Sequence, residues 1–251
     1  GLDIGQEKLS NIRYADDLLI YASSSDDLCF VVDSLCTELR RIGLNFNASK
    51  TRVFTTTSLS CPSSIELDDE MVQVLIGDES HLYLGRRLPG NLRCRARSEL
   101  AHRFQAAWSK FNSRKHILTD RQISVGKRLK LFDAVVSPTV LFGLASLALS
   151  ENQREQLRVL QRRMLRLVVG WIRYDGEDWS ETMRRMNHRL DVALNIYPVK
   201  CWSDRLSALQ YKLAGAIVCK PISWAYRACS WHPLDTMPVA ARNRGRPLCR
   251  R

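Results

Sequence analysis

The chain has 251 residues, of which 45% are hydrophobic and 25% are charged, and its formal net charge is +12. This balance is typical of a globular protein and excludes a disordered chain, a collagen-like repeat and a pure coiled coil. No uninterrupted apolar run approaches the ~20 residues of a membrane span. The first residues do not have the basic-then-apolar pattern of a secretory signal, so we expect none. We therefore expect an intracellular protein, nuclear or cytoplasmic, that is not secreted and has no membrane partner.

The eight cysteines follow no repeating interval, so the sequence favours reduced thiols over a disulfide framework. One spacing resembles a metal site, Cys229-x-x-His232. Because no second pair of ligands lies nearby, as a structural zinc would require, zinc is the weaker interpretation.

Charge is distributed unevenly along the chain. Residues 1–80 carry six basic and fourteen acidic side chains, a net charge of −8, whereas residues 81–251 carry a net charge of +20. Such an excess attracts polyanions through long-range forces and counterion release, so nucleic acid is the expected partner of the basic half. The alternative is an arginine-rich helical region without a specific ligand.

The acidic half begins with a predicted hairpin followed by a helix. Residues 9–14 and 18–22 are apolar runs typical of strands, and Ala15-Asp16-Asp17 separates them. Serines 23–25 are suited to cap a helix with an apolar face between Leu28 and Ile42. Gly43 then occupies the position of a helix C-cap glycine.

Further strands are predicted in the rest of the acidic half. Residues 44–56 favour one strand and residues 55–64 a polar loop. A strand pair is expected from residues 71–76 and 81–84, with its turn at Gly77-Asp78.

The basic half switches to a helical period, which weakens beyond Trp171. Apolar residues recur at helical spacing over residues 100–111 and again over 123–136, where Pro138 is expected to end the helix. The apolar run that follows, up to Leu149, is predicted to be core.

The clearest helix of the chain is predicted to begin at Ser150-x-x-Gln153, which matches a capping box. Its apolar face extends from Leu157 to Trp171. One more helix is expected over about residues 199–218, and the basic end, residues 242–251, is expected to be mobile.

Asp16 and Asp17 are the strongest candidates for chemistry. Apolar strands flank them on both sides, and adjacent carboxylates in a buried turn would repel each other and lose solvation. A divalent cation relieves both costs, and hard oxygen ligands suit Mg²⁺. A plain hairpin turn is the alternative.

A series of motifs follows in order along the chain: Tyr14-Ala15-Asp16-Asp17 (the YADD box), an Asn followed by Lys-Thr within Gly43–Thr51, Tyr83-Leu84-Gly85 (the YLG motif), and the later stretches Pro138–Gly143 and Gln161–Arg166. This ordered series resembles the reverse transcriptases of non-LTR (LINE-type) retrotransposons over roughly residues 1–171, with the YLG motif similar to a hairpin and the two later stretches similar to the thumb of that family. The resemblance implies an α+β fold with three parts. These are the C-terminal part of a polymerase palm at 1–90, a helical thumb at 91–171 and a basic helical region at 172–251.

The same resemblance implies roles for individual residues in an RNA-directed DNA polymerase that uses an RNA template and a DNA primer. Asp16 would be a principal ligand of Mg²⁺, or of Mn²⁺ in its place, with Asp17 as an auxiliary ligand. Tyr14 would brace the turn, and Lys50 would protonate or neutralise the departing pyrophosphate. A solvated lysine is the alternative for Lys50.

The YLG motif of the resemblance would serve as a primer grip. Tyr83, Leu84 and Gly85 would hold the primer backbone, and Gly85 would permit its close approach. An ordinary hairpin core is the alternative for these three residues.

The sequence departs from the family before the YADD box. The family places another catalytic aspartate and the fingers far upstream, and Asp3 lies too close to the hairpin to supply that aspartate. The chain is therefore expected to be a fragment that needs an N-terminal palm and fingers segment as its partner. We expect it not to polymerise DNA alone.

Four arginines recur every four residues on the helix that follows Ser150: Arg154, Arg158, Arg162 and Arg166. This spacing forms one ridge that is suited to track a phosphate backbone, or else a solvated helix face. Two other classes of function remain beside the polymerase. One is a non-catalytic nucleic-acid-binding remnant that uses the basic helices, and the other is a helical interaction protein.

Overall fold

A computed structural model describes residues 1–4, 7–55, 62–77 and 79–230, and it confirms a mixed α+β chain. The chain divides into two compact units. One contains Gly1–Ile76 together with the described residues from Ala214 onward, and the other contains Gly77–Leu213. The predicted domain boundaries after residues 90 and 171 stay predictions.

Short antiparallel pairs and one long helix make up most of the first unit. Its strands are β1 (Leu2–Ile4), β2 (Glu7–Leu9), β3 (Asn11–Tyr14), β4 (Asp17–Ile20), β5 (Val53–Phe54), β6 (Ser64–Leu67) and β7 (Glu70–Leu75). β1 pairs with β2, and β3 pairs with β4. β7 lies between β5, to which it is parallel, and β6, to which it is antiparallel.

Helix α1 (Ser25–Arg41) begins and ends as the sequence predicts. The Ser24 hydroxyl accepts a hydrogen bond from the backbone N–H of Asp27 over 3.1 Å, which satisfies a free donor of the first turn. Gly43 follows the helix with φ +77°, a conformation that glycine adopts without strain. One face buries Val32 and Cys36 in a small core with Ala48, Leu67 and Val72.

The strand predicted over residues 44–56 is wrong for most of its length, because within the described part, residues 44–55, only Val53–Phe54 forms a strand. Asn47 supplies the physical reason. Its side-chain oxygen accepts hydrogen bonds from the Ser49 hydroxyl over 2.7 Å and from the Lys50 N–H over 3.1 Å. These bonds fold the segment into a turn that competes with strand formation. Residues 56–61 of the predicted loop lie outside the described residues.

The strand pair predicted from residues 71–76 and 81–84 is also wrong in its pairing, although both strands exist. β7 pairs with β6 across a turn at Asp68-Asp69, and the second strand pairs with a later one. Asp68 and Asp69 both have positive φ, as a type I′ hairpin turn requires. The expected turn at Gly77-Asp78 includes Asp78, which lies outside the described residues.

Helices dominate the second unit. Its elements are β8 (Ser80–Tyr83), β9 (Arg86–Pro89), α2 (Arg95–Ser113), α3 (Lys115–Leu118), α4 (Val125–Leu141), α5 (Glu151–Val168), α6 (Trp179–Ile196) and the greater part of α7 (Trp202–Val218). A further helix, α8 (Trp224–Ser230), follows it in the chain. The capping box of α5 is confirmed. The Ser150 N–H donates to the Gln153 side-chain oxygen over 2.9 Å, and the Gln153 N–H donates to the Ser150 hydroxyl over 3.3 Å.

One continuous core joins α2, α4, α5, α6 and α7 within the second unit. The Trp202 ring stacks on Phe132 with 5.8 Å between ring centres, and its indole N–H donates to the Ser137 hydroxyl over 2.8 Å. The side-chain oxygen of Gln161 on α5 accepts a hydrogen bond from the Trp202 backbone N–H, and its side-chain NH₂ donates one to the Lys200 carbonyl. The predicted core run up to Leu149 is confirmed, since Val140, Leu141, Leu144, Leu147 and Leu149 are all buried.

Two helix predictions in this half are corrected. Pro138 does not end α4, which continues to Leu141. Pro138 has no N–H to donate to the carbonyl of Ala134, and both residues are exposed, so the missing hydrogen bond does not fall on the buried face of α4. Helix α6 was not predicted, although Asp178 and Glu181 form a capping box at its start.

Among the described residues, one segment, Val125–Ser146, is long and apolar enough to cross a membrane. Charged residues such as Lys130 and Asp133 interrupt its apolar residues, so no uninterrupted apolar run marks it in the sequence. Leu129, Phe132, Val136 and Val140 of this segment are buried in the core of the second unit, so here it packs as a core helix.

Candidate functional site

The YADD box forms the tip of the β3–β4 hairpin. Tyr14 is opposite Asp17 in the register, so Ala15 and Asp16 make a two-residue turn. Ala15 has φ +52°, a conformation that costs a residue with a Cβ atom on the order of 1 kcal/mol. The turn therefore holds two adjacent carboxylates at the hairpin tip by means of a strained backbone.

The hairpin tip is exposed, which corrects the expectation of a buried turn. Both Asp16 and Asp17 are exposed, Tyr14 retains 65% of its accessible surface, and Ile12 retains 44%. Within the described residues the two carboxylates therefore remain solvated, so the desolvation argument for a bound cation does not apply to them. Ile20, at the far end of the hairpin, packs against the core of α1 and anchors it.

Lys50 lies on the turn organised by Asn47, and its side chain is exposed. The Asn47 carbonyl also accepts hydrogen bonds from the Thr51 hydroxyl over 2.8 Å and from the Thr51 N–H over 3.1 Å. Phe46 and Ala48 fix the turn to the same core that holds Ile20. One small core therefore supports both the YADD hairpin and the lysine turn. Sequence reasoning matched Asn47 to the motif and missed this bonding role.

The described residues contain no group of three or more His, Cys, Asp or Glu side chains arranged to hold a metal ion. Asp16 and Asp17 supply hard oxygen donors of the type Mg²⁺ prefers, but they are a partial set for an ion that requires octahedral coordination. The candidate zinc ligand His232 lies outside the described residues.

The YLG motif is the turn of the β8–β9 hairpin in the second unit. Tyr83 is opposite Arg86, and the turn residues Leu84 and Gly85 have φ +49° and +72°. This is the pattern of a type I′ turn, which matches the twist of the strands it joins. Leucine carries a steric cost in this conformation that glycine does not.

Helix α2 fixes this turn in place through a buried ion pair. Arg103 Nε donates to Glu99 Oε1 over 2.6 Å, and both side chains are almost completely buried. Arg103 also donates to the Gly85 carbonyl, and Glu99 accepts the Arg87 backbone N–H over 2.5 Å. The Arg103 guanidinium lies 4.9 Å from the centre of the Phe142 ring, a cation–π contact.

Sequence reasoning did not single out Glu99, Arg103 or Phe142. The i, i+4 spacing of Glu99 and Arg103 was a readable signal for an ion pair on one helix face. Its burial was not readable, because Gly85 and Phe142, which cover it, are distant in sequence.

The four arginines of the α5 ridge all contact side chains of α6 or α7. Arg154 donates to Ser207 and Gln210, Arg158 to Ser203, Arg162 to Asp191 and Arg166 to Asn187, over 2.8–3.1 Å. Burial lowers the pKa of Arg166, and the neighbouring arginines Arg162 and Arg163 add to this effect. The ridge thus contributes to helix packing, and its contact with nucleic acid stays a prediction.

Comparison with known proteins gives a distant similarity. No family model matches the chain, and no solved structure matches it significantly. A protein of Caenorhabditis elegans described as uncharacterized and transposon-derived is 27% identical over an alignment of 171 residues that covers 66% of this chain. The chain spans 59% of the length of that relative. This similarity indicates an origin in a transposable element.

Proposed function

We propose that this chain is the C-terminal palm and thumb portion of a non-LTR retrotransposon reverse transcriptase. The observation that carries the proposal is the tight hairpin turn that displays Asp16 and Asp17 at its tip. The order of the later motifs supports it, since the Asn47–Thr51 turn and the YLG hairpin follow in the family's sequence. The transposon-derived relative supports the same origin.

The exposed tip suits a polymerase site that is completed by other carboxylates. Bound Mg²⁺ would activate the primer hydroxyl and neutralise charge on the departing pyrophosphate. Asp16 and Asp17 would be ligands, and the exposed ring of Tyr14 would lie beside the primer end. The exposed ammonium of Lys50 is a suitable proton donor or counter-charge for a leaving phosphate. Tyr83, Leu84 and Gly85 would hold the primer.

The test begins with the sequence of the transcript upstream of the Gly1 codon. We expect an open reading frame that carries the missing aspartate strand and fingers, and RNA-templated primer extension by the extended protein. Asp16→Asn should abolish extension, because it removes a metal ligand. The control is Asp26→Asn, an exposed aspartate in the first turn of α1, which should retain activity. Extension that survives Asp16→Asn would contradict the proposal.

A non-catalytic nucleic-acid-binding remnant is the second candidate. The observation that favours it is the partial set of metal ligands among the described residues. A remnant would bind a primer–template duplex through its basic half without any dependence on Mg²⁺. Duplex affinity that is equal in Mg²⁺ and in chelator, together with an interrupted upstream reading frame, would support the remnant over the polymerase.

A further inference from the structure

The segment from Arg86 to Arg103 carries an unbalanced positive charge. It contains six arginines and one acidic residue, Glu99. Both oxygens of Glu99 are already used, one by Arg103 Nε over 2.6 Å and the other by the Arg87 backbone N–H over 2.5 Å. Among the described residues, neither Arg86 nor Arg95 forms a salt bridge with this carboxylate, which pairs with Arg103.

The guanidinium groups of Arg86 and Arg95 are incompletely bonded. Nη1 of Arg86 donates to the Ser146 hydroxyl over 2.7 Å, but its Nε is buried and has no hydrogen-bond partner among the described residues. The same holds for Nε of Arg95. Burial lowers the pKa of Arg86, and the charges of Arg95 and Arg103 lower it further against the opposing effect of Glu99.

The backbone leaves room for this arrangement at Gly143. A Cβ atom at this position would lie 2.8 Å from Nε of Arg86, which is closer than real Cβ contacts. Gly143 also has φ +72°, so two independent features favour glycine where Arg86 packs. Arg95 is the first residue of α2, and the first turn of that helix contains no acidic side chain to offset its charge.

Arg86 loses hydration on burial and also feels the charge of Arg95. Such an arrangement of cations is costly unless an anion accepts their hydrogen bonds. Arginine presents a planar fork of donors that matches the oxygen atoms of a phosphate. We propose that Arg86 and Arg95 form a phosphate-binding site, with the Ser146 hydroxyl beside it. Both arginine side chains are half-buried, so part of each contacts solvent, and an incoming anion would contact that part rather than the buried Nε atoms.

The phosphate has two possible sources. One is a free ion such as inorganic phosphate or pyrophosphate, and the other is the phosphodiester backbone of a nucleic-acid strand held near the YLG hairpin. The second source rests on the proposed function, whereas the site itself does not.

The experiment measures the melting temperature of the full chain in inorganic phosphate and in sodium chloride of matched ionic strength. At about ten times its dissociation constant, phosphate should raise the melting temperature of the wild-type chain by about 3–5 °C. Arg95→Gln should lose this shift. The matched control is Arg97→Gln, an exposed arginine in the same helical turn, which should retain the shift. Arg86→Lys tests the second arginine and keeps the charge while it removes the fork.

A second measurement distinguishes the sources by fluorescence anisotropy with a labelled primer–template duplex. If Arg95→Gln loses the phosphate-induced rise in melting temperature and also binds the duplex at least threefold more weakly, the site and a nucleic-acid source are both supported. Loss of the phosphate shift alone supports the site with a free ion as its ligand, and leaves the proposed polymerase function to be judged by Asp16. A phosphate shift that is equal in the wild-type, Arg95→Gln and Arg86→Lys chains would overturn the proposal.

Discussion

Glu99 and Arg103, one turn apart on α2, form a buried ion pair in which each partner also bonds the backbone of the β8–β9 hairpin. The pair therefore links the YLG turn to the helical core of the second unit. Removal of one partner leaves the other charge buried without compensation, and this cost usually exceeds the net contribution of the intact pair.

Glu99→Gln should lower the free energy of unfolding by about 3 kcal/mol, because it leaves the Arg103 guanidinium buried without its carboxylate. Urea denaturation followed by tryptophan fluorescence measures this change. Glu155→Gln is the matched control, since it removes an exposed carboxylate 2.9 Å from Arg158, and its effect should stay within about 0.5 kcal/mol. Equal effects of the two substitutions would contradict the structural role of the buried pair.

Leu84→Gly should raise the free energy of unfolding by about 0.5–1 kcal/mol. The leucine has φ +49°, and glycine removes a steric cost of about 1–2 kcal/mol that is partly offset by greater freedom of the unfolded chain. Leu82→Gly is the control, because Leu82 is also exposed but lies within β8, where glycine should destabilise by about 0.5–1 kcal/mol. Destabilisation by both substitutions would show that Leu84 makes a contact that outweighs its strain.

Local signals were sufficient to predict several elements of the fold. The caps at Ser24 and Ser150 lie within a few residues of the backbone groups they satisfy, so short sequence patterns identify them. Helix α6 carried an equally local signal, Asp178-x-x-Glu181, which sequence reasoning did not use. The YADD turn was predicted because it joins two strands adjacent in the chain, whereas the YLG hairpin was expected only from the family resemblance.

The strand partner of β7, the exposure of the YADD turn and the partners of the α5 arginines were not predictable from the same patterns. β7 has an apolar run that fits either neighbour, and the choice of β6 depends on the Asp68-Asp69 turn, which lacks the usual glycine. The exposure of Asp16 and Asp17 depends on which other elements pack against the hairpin. The pattern of apolar residues along the two strands does not identify those elements. The partners of the α5 arginines lie on helices 21 to 56 residues away in sequence.

Acid should destabilise the second unit through Glu177. Its carboxylate accepts hydrogen bonds from Arg185, from the Thr182 hydroxyl and from the Tyr174 N–H, and the Arg185 bond contributes most to lowering its pKa from 4.5 to about 2. Below pH 4.5 the unfolded chain takes up a proton that the folded chain does not. The stabilisation is therefore complete above pH 4.5 and is lost as the pH falls towards 2.

Urea denaturation between pH 6 and pH 2 tests this prediction. Glu177→Gln should be less stable than the wild-type chain at pH 6, and its stability should fall less as the pH decreases. Asp175→Asn removes a neighbouring exposed carboxylate and should reproduce the wild-type slope. A Glu177→Gln slope that is equal to the wild-type slope would exclude a special role for this carboxylate.

Replacement of all four ridge arginines of α5 by glutamine should loosen α6 and α7, because each arginine donates to a side chain on one of those helices. Hydrogen exchange over residues 179–213 should become faster. Since the guanidinium groups are already bonded, the slope of log affinity for a duplex against log salt should change by less than about one. A decrease of about 3–4 would instead support four phosphate contacts.

The matched variant replaces four exposed basic residues of the same unit by glutamine: Lys110, Arg114, Lys115 and Arg121. It removes the same charge but none of the bonds between α5 and the later helices. If exposed cations carry the counterion release, this variant should reduce the salt slope more than the ridge variant and leave hydrogen exchange in α6 and α7 unchanged. A larger reduction of the salt slope in the ridge variant would instead assign the nucleic-acid surface to the α5 ridge. The phosphates would then have to displace the protein partners of the four ridge arginines.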